Sequence, residues 1–436
     1  MQGFASLPAT KALLIVIDGL TPAMFEDAVE RRAAPTLAEL FDRGSYTRAV
    51  SVFPSLTPVC LSSLMTGAYP DVHRIPHLVW YHRGEQRLVE YGSSFAALRR
   101  AGTRKGIVDA IFNMNAEHLS REAVTLFESV EDAGLVAAAV NIICYRGRTP
   151  HRTRIPGVAR VAYGPSRFFY FNLFASDLTG APYRLGGRHL GANDRYAAAV
   201  GRWLVTRDGF DLLVYYLPDY DYASHAAGPD AAHDALGRSD AAVQALVDAA
   251  GGLDALLERY AVVVCADHGQ TKVTKPVELG REFAGTEDVL VTASNRAAMI
   301  YDLQGGRARK LAEALDGHPA VETTLFLEDD AVVARRDGAE GLDVLAEYPS
   351  GLVRAEAALR NPNAGEVLVS AAPGYEFADL AHRHHAGGGS HGSLCAGDSE
   401  VPMLTVGLGP PPASITGVAP LLLHHLGLAR PNVHAA

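Results

Sequence analysis

The sequence predicts an α/β fold: a mainly parallel central sheet with helices on both faces. Three observations carry this. First, "KALLIVID", "FDLLVYYLPDYD" and "YAVVVCAD" are continuous apolar runs rich in β-branched residues, the pattern of strands buried on both faces. Second, helical patterns alternate with these strands, which implies layers joined by right-handed crossovers. Third, each run ends in aspartate: Asp18, Asp219 with Asp221, and Asp267. Ligands of open parallel sheets bind beyond the carboxyl ends of the strands, so several carboxylates are expected at one edge. Crowded carboxylates repel one another unless something cationic sits among them. An aspartate at a strand end also commonly caps the next helix or turn, an explanation that serves one residue better than three.

Along the chain, "ALLIVI" is the first strand. It is too short for a secretory leader, lacks a basic flank and runs straight into an acidic residue. "APTLAELFDRG" is a helix stopped by glycine. "PSLTPVC" sets Thr57 before Pro58. Proline suits the first helical position and pushes its predecessor out of the α region, so Thr57 is predicted as the N-cap, Pro58 as N1, and "VCLSSLM" as the helix that follows. "YHRGEQR", with Trp80 and Tyr81, reads as a surface hairpin. "SSFAALRRAG" and "REAVTLFESVEDAG" are helices, the second leading into a strand in "LVAAAVNII". Residues 229–259 carry an Ala-rich helical pattern broken at "AAGGLD". From residue 270 the character changes to a polar stretch, "TKVTKPVELGREFAGTEDV". Short elements follow in "AAMIYDL", "RARKLAEALDG", "AVETTLFLED" and "GEVLVSAAPG". Residues 270–370 are therefore expected to form a small α+β inserted cap, with 1–269 and 371–436 as the core. The core resumes in the strand "VPMLTVGLG" and the helix "VAPLLLHHLGL".

The chain has 436 residues, 48% hydrophobic and 20% charged, enough for one large domain with an insertion or for two domains. Its net charge of −10 argues against a general nucleic-acid surface. A phosphate-bearing substrate stays compatible, because a metal supplies local positive charge. No apolar run approaches the roughly 20 residues of a membrane span. Cys60, Cys144, Cys265 and Cys395 lie far apart without a CxxC; reduced, mostly buried thiols and a cytoplasmic location are expected.

The histidines sharpen the site. "DYASH" puts Asp221 and His225 four apart, on one side of a helical turn. "ADHG" sets Asp267 beside His268 at a strand end, and "GGGSHGS" carries His391 in a loop able to bend close to a site. Mixed imidazole and carboxylate ligands suit zinc, with manganese or iron as alternatives. Six ligands plus the Thr57 alkoxide suffice for two metals, the usual clamp for in-line displacement at phosphorus. Metal coordination activates a hydroxyl, so Thr57 is expected both to begin its helix and to attack.

With these residues in place, the chain resembles the type I phosphodiesterase and nucleotide pyrophosphatase group of the alkaline phosphatase superfamily. The resemblance rests on "LLIVIDGL", "APTLAELFDRGSYT", "VFPSLTPVCLSSLMTGAYPDVHRI", "DYASHAAGP", "ADHGQ" and "HGSL", in the family's order over residues 13 to about 395. It implies an alkaline-phosphatase-like core and two Zn2+ ions. Asp18, Thr57, Asp267 and His268 would hold one zinc; Asp221, His225 and His391 would hold the other. Thr57 would form a phosphothreonine-type intermediate that a zinc-activated water hydrolyses, on a small phosphodiester or nucleotide substrate. Asp219 is the runner-up to Asp221, and His384 and His385 are the runners-up to His391. Two departures bear on the substrate. Relatives continue from Thr with "FPNHY", where this chain has "PVCLS". They also carry an asparagine about twenty residues on, where this chain has Leu78 preceded by His77; His77 or a backbone N–H is the expected substitute donor. His73 and Arg74 are the other nearby cations. A phosphomonoesterase, a phosphonate hydrolase, a phospholipase-type esterase and a non-catalytic relic are the alternatives. A sulfatase is disfavoured, because "PVCLSSL" lacks the CxPxR context.

Overall fold

The computed structural model describes residues 10–155, 157–175 and 191–428; the first nine residues, part of the leader question, lie outside them. A seven-stranded sheet forms the centre, in the order Ser45–Val50, Glu400–Val406, Tyr260–Cys265, Lys11–Ile17, Leu212–Leu217, Ala137–Val140, Arg167–Phe169. The last five pair in parallel. Glu400–Val406 runs against both of its neighbours. Every residue of Leu212–Leu217 and Tyr260–Cys265 is buried. Successive side chains point to opposite faces, so the sheet is covered on both sides. Pro35–Arg43, Ala192–Arg207 and His233–Ala250 pack together as one group of helices; Thr57–Thr66, Leu126–Asp132 and Val418–His425 form another.

The three strands that end in aspartate are neighbours, with Lys11–Ile17 in the middle. Val16 lies beside Cys265 on one side and Tyr216 on the other. Asp18, Asp267 and the helix Asp219–Ala227 therefore leave the same edge of the sheet. Each fully buried Val, Leu or Ile contributes roughly 1.5–3 kcal/mol, so these chain ends issue from a fully buried part of the sheet.

Residues Val289–Ala371 hold a second, antiparallel sheet of six strands. Ala298 and Ile300 pack on one face with Leu279, Leu311 and Phe326. Met299 and Tyr301 pack on the other with Leu345, Ala355, Phe53 and Leu394. Two buried arginines tie the two units together. Arg296 pairs with Asp398 at 2.7 Å, both fully buried. Arg354 donates to Val52 O, Leu394 O and the Ser399 hydroxyl.

Three local expectations change. The N-cap of helix Thr57–Thr66 is Leu56, in an extended conformation. Its carbonyl accepts from both Val59 N and Cys60 N at 2.9 Å, so the first turn closes one residue early and the Thr57 hydroxyl caps nothing. The hairpin Val79–His82 with Arg87–Glu90 forms, but Trp80 is wholly buried in the core and meets His118 edge-on at 5.3 Å. The strand in "LVAAAVNII" is only Ala137–Val140, because Asn141 turns into the left-handed region (φ +62°).

Candidate metal centre

Thr57 is the one partly open residue between Ser51 and Thr66; all the others there are buried. Its Oγ1 lies 3.1 Å from His268 Nε2. His268 Nε2 in turn lies 3.3 Å from Asp18 Oδ1 and 3.6 Å from Asp267 Oδ2. Next to it, His225 Nε2 lies 3.4 Å from Asp221 Oδ2, and His391 Nε2 lies 4.0 Å from Asp221 Oδ1. The His268 and His391 rings stack at 3.6 Å. Asp18, Asp221 and His268 can offer ligand atoms within 4.8 Å of one another, and so can Asp221, His225 and His391. Asp221 stands between the two groups.

The hydrogen bonds around this cluster set each ligand's direction. Each histidine directs Nδ1 to a backbone carbonyl: His225 to Gly389 O at 2.8 Å, His268 to Gly269 O at 3.0 Å and His391 to Ser55 O at 2.7 Å. A neutral ring that donates from Nδ1 presents the Nε2 lone pair, the arrangement that metal-ligating histidines use. Each carboxylate is held by one oxygen. Asp18 Oδ2 accepts from the Tyr216 hydroxyl. Asp267 Oδ1 accepts from Gly19 N and His268 N. Asp221 Oδ1 accepts from Gln270 Nε2. Asp18 Oδ1 and Asp267 Oδ2 are buried and receive no aligned hydrogen bond. A buried bare carboxylate oxygen costs several kcal/mol unless a cation faces it, so the donor set fits a metal.

Electrostatics agree. Burial, then the Asp18 charge, raises Asp221 to about 7 and Asp267 well above the usual carboxylate range. Burial works hardest against a charged His268, yet Asp267, Asp18 and Asp221 together raise it to about 10. This corner strongly favours positive charge. Burial holds His225 and His391 well below their ordinary value, in the neutral form that ligates. Gly19 makes the crowding possible: at φ +67° a Cβ would lie 2.8 Å from Asp221 Oδ1.

A further trio, His82, Glu85 and His118, also lies within ligand reach, but its tautomer is wrong. His82 Nδ1 accepts from Glu85 N at 3.0 Å, which places the ring proton on Nε2, and Glu85 is already paired with Arg87 at 2.5 Å.

The other candidates fall outside the cluster or beside it. Asp219 is occupied by Asn193 Nδ2 at 2.7 Å and Asp194 N at 2.8 Å. His384 is exposed. His385 flanks the centre, stacking on His225 at 4.0 Å and bonding Glu376 at 2.6 Å. His77 is buried with both ring nitrogens engaged, Nδ1 by Val79 N and Nε2 by Ala297 O. Burial lowers it to about 4. It is therefore not a free donor, contrary to expectation. Leu78 is partly buried against the main core. His73 is likewise committed, to Ile75 N and the Ser63 hydroxyl, and Arg74 pairs with Glu122. Four contributors had no role in the sequence analysis: Tyr216, Gln270, Ser55 and Asn295, whose Nδ2 donates to His391 Nε2 at 2.9 Å. Gln270 stands inside the motif "ADHGQ" and was readable; the other three carry no local signal.

This is a sheet-edge cluster of carboxylates and imidazoles beside an open hydroxyl, on a mainly parallel α/β core: the arrangement of a phosphoryl-transfer hydrolase. The sequence profile of the type I phosphodiesterase / nucleotide pyrophosphatase family matches residues 12–394, and the chain belongs to that family. Among solved structures it is similar to murine ectonucleotide pyrophosphatase / phosphodiesterase 5, at 16% identity over 98% of this chain and 97% of that one, with a TM-score of 0.66. An inactive form of the same murine protein, in complex with AMP, matches with a TM-score of 0.67, 16% identity and the same coverage. Phosphonoacetate hydrolase from Sinorhizobium meliloti 1021, in complex with phosphonoformate, matches at 18% identity over 96% of each chain, with a TM-score of 0.66. No curated protein sequence matches the chain. These likenesses confirm the alkaline-phosphatase-like fold; the membership supports a hydrolase acting on phosphate esters.

Proposed function

We propose that this protein is a metal-dependent hydrolase of phosphodiester or pyrophosphate bonds, with Thr57 as nucleophile. One observation carries the proposal. Three histidines present Nε2, each steadied at Nδ1 by a carbonyl, next to bare carboxylate oxygens and a hydroxyl that caps nothing. Asp18, Thr57, Asp267 and His268 are read as one ligand set, Asp221, His225 and His391 as the other, with zinc as the metal that suits them. Two bound cations would lower the pKa of the Thr57 hydroxyl and balance charge on the phosphoryl oxygens.

The chain's own residues do the rest. Thr57 Oγ1, its proton released to solvent, forms a bond to phosphorus as the P–O bond to the leaving group breaks; the leaving oxygen takes a proton from solvent. Water then cleaves the phosphothreonine ester and restores the hydroxyl. Buried helix residues Pro58–Thr66 hold Oγ1 at a fixed place, which lowers the entropic part of the barrier. A phosphomonoester brings a second charge and a third non-bridging oxygen, usually met by an added cation. His73, His77 and Arg74 are all engaged elsewhere, which favours diesters.

A phosphonate hydrolase is the second reading, on the likeness to phosphonoacetate hydrolase over 96% of each chain. Elemental analysis of purified protein, followed by turnover of aryl diesters, monoesters, dinucleotides and phosphonoacetate, tests both. Active protein without metal rejects the mechanism; phosphonoacetate as the one good substrate selects the second reading.

A further inference from the structure

The second sheet delivers a residue to the metal centre. Its first hairpin joins Val289–Ser294 to Ala297–Asp302 through the two-residue turn Asn295–Arg296. Asn295 sits there in the left-handed region at φ +56°, 6% exposed. Asparagine tolerates that conformation better than most side chains do. The turn is fastened from both directions: Arg296 N donates to His391 O at 2.8 Å, and Phe377 N donates to Asn295 O at 2.7 Å. Gly392 lets its loop approach this turn, since a Cβ there would stand 3.0 Å from Leu56 Cδ2 and 3.3 Å from both Arg296 N and Ala297 N.

The carboxamide is oriented by its partners. Oδ1 accepts from the Ser294 hydroxyl at 3.2 Å. Nδ2 donates to His391 Nε2 at 2.9 Å. That acceptor is the lone pair proposed to ligate a metal. Once the lone pair is committed, the amide N–H must find another acceptor within the same buried space. A substrate oxygen is the acceptor that turnover brings there. The position in sequence where relatives keep a donating asparagine holds Leu78, and neither His77 nor His73 is free to replace it.

We propose that Asn295 is the substrate-positioning donor of this enzyme, its carboxamide N–H holding a non-bridging phosphoryl oxygen of the bound ester. The inference rests on the metal-hydrolase reading above.

The test uses Asn295→Ala, Asn295→Gly and Asn295→Asp in the full chain, made both alone and in a Thr57→Ala background that cannot turn over. The glycine variant relieves the left-handed backbone and separates side-chain loss from strain. Three quantities are measured: zinc content, calorimetric affinity of the zinc-loaded Thr57→Ala protein for inorganic phosphate, and kcat/KM for an aryl diester. Ala and Gly are expected to keep wild-type zinc content and to lose about 10- to 100-fold in phosphate affinity and in kcat/KM, the range for one hydrogen bond to a charged group. Asp, which repels the oxygens, should lose more. Unchanged phosphate affinity and kcat/KM in Ala and Gly overturn the proposal. Zinc lost from Ala and Gly also overturns it, because Asn295 then only braces His391. Tighter zinc in Asp with activity retained overturns it too, because position 295 then serves as a ligand. A wild-type protein that binds no metal and cleaves no phosphate ester defeats the parent reading instead.

Discussion

Thr57→Ala separates two explanations of one hydroxyl. Read as an N-cap, its removal would cost about 0.5–2 kcal/mol. In the structure the cap is Leu56, and the hydroxyl makes one contact, to His268 Nε2 at 3.1 Å. An average side-chain hydrogen bond contributes roughly 0.5–1.5 kcal/mol. Here the His268 ring also keeps its ion-pair contacts to Asp18 Oδ1 at 3.3 Å and Asp267 Oδ2 at 3.6 Å, so the loss stays within that range. The metal-free variant should therefore unfold within about 1 kcal/mol of wild type in urea with EDTA present. Turnover is another matter. Losing a nucleophile from a covalent mechanism costs about 10⁴-fold or more. Stopped assays of a p-nitrophenyl diester with zinc present measure it, alongside zinc content, because Thr57 is also read as a ligand. Activity within a few-fold of wild type would refute the nucleophile; a stability loss above about 2 kcal/mol would exceed both a lost cap and a lost hydrogen bond and refute the single-contact reading of this hydroxyl.

Four further outcomes are expected. EDTA should abolish activity, and zinc at a hundred times its dissociation constant should stabilise the fold by about 2.7 kcal/mol; a Tm indifferent to zinc contradicts this. Tyr216→Phe removes the donor to Asp18 Oδ2 and should weaken zinc binding roughly 10- to 100-fold, measured by competition with a chromogenic chelator; equal affinity would show that the hydroxyl does not orient Asp18. Matched p-nitrophenyl compounds should give a higher kcat/KM for the diester than for the monoester, and a monoester advantage would mean that a further cation reaches the site. Away from the site, burial raises Glu90 from 4.5 to about 7. The native state then binds the extra proton, so this contribution is complete below about pH 4.5 and fades as pH rises through 7. It amounts to about 3 kcal/mol at most. Glu90→Gln should flatten that slope in urea unfolding between pH 5 and 8, and an unchanged slope would place its source elsewhere.

The sheet and the carboxylates were legible because their signals are local. An apolar run that ends in aspartate states both a buried strand and a carboxylate at its end, and Asp221 with His225 needs only one helical turn. What the sequence hid is set by partners far away in the chain. The Thr57 hydroxyl resembles a cap to its neighbours, but its partner His268 is 211 residues on. Tyr216 is one aromatic in an apolar strand, and its bond to Asp18 spans 198 residues. Asn295 looks like an ordinary turn residue until antiparallel pairing and the Arg296–His391 backbone bond bring it to the centre. His73 and His77 mislead in the opposite sense. Each spends Nδ1 on the backbone N–H two residues on, and burial lowers them to about 3 and about 4, so two apparent cations carry no charge.

Sheet order and site then reduce to one fact. Asp18 is held by Tyr216, from the strand on one side. Asp267, at the end of the strand on the other side, is held by the backbone N–H of Gly19, which follows Asp18. Asp221 is held by Gln270, three residues beyond Asp267. Each carboxylate thus keeps one oxygen bonded to a neighbouring strand or its extension and leaves the other for a cation. Only parallel strands, adjacent in this order and in this register, bring those three bonds together. An exchange of any two strands would leave all seven candidate ligands in the sequence and dissolve the centre. The motif in the sequence names the ligands; the parallel register of three neighbouring strands makes them a site.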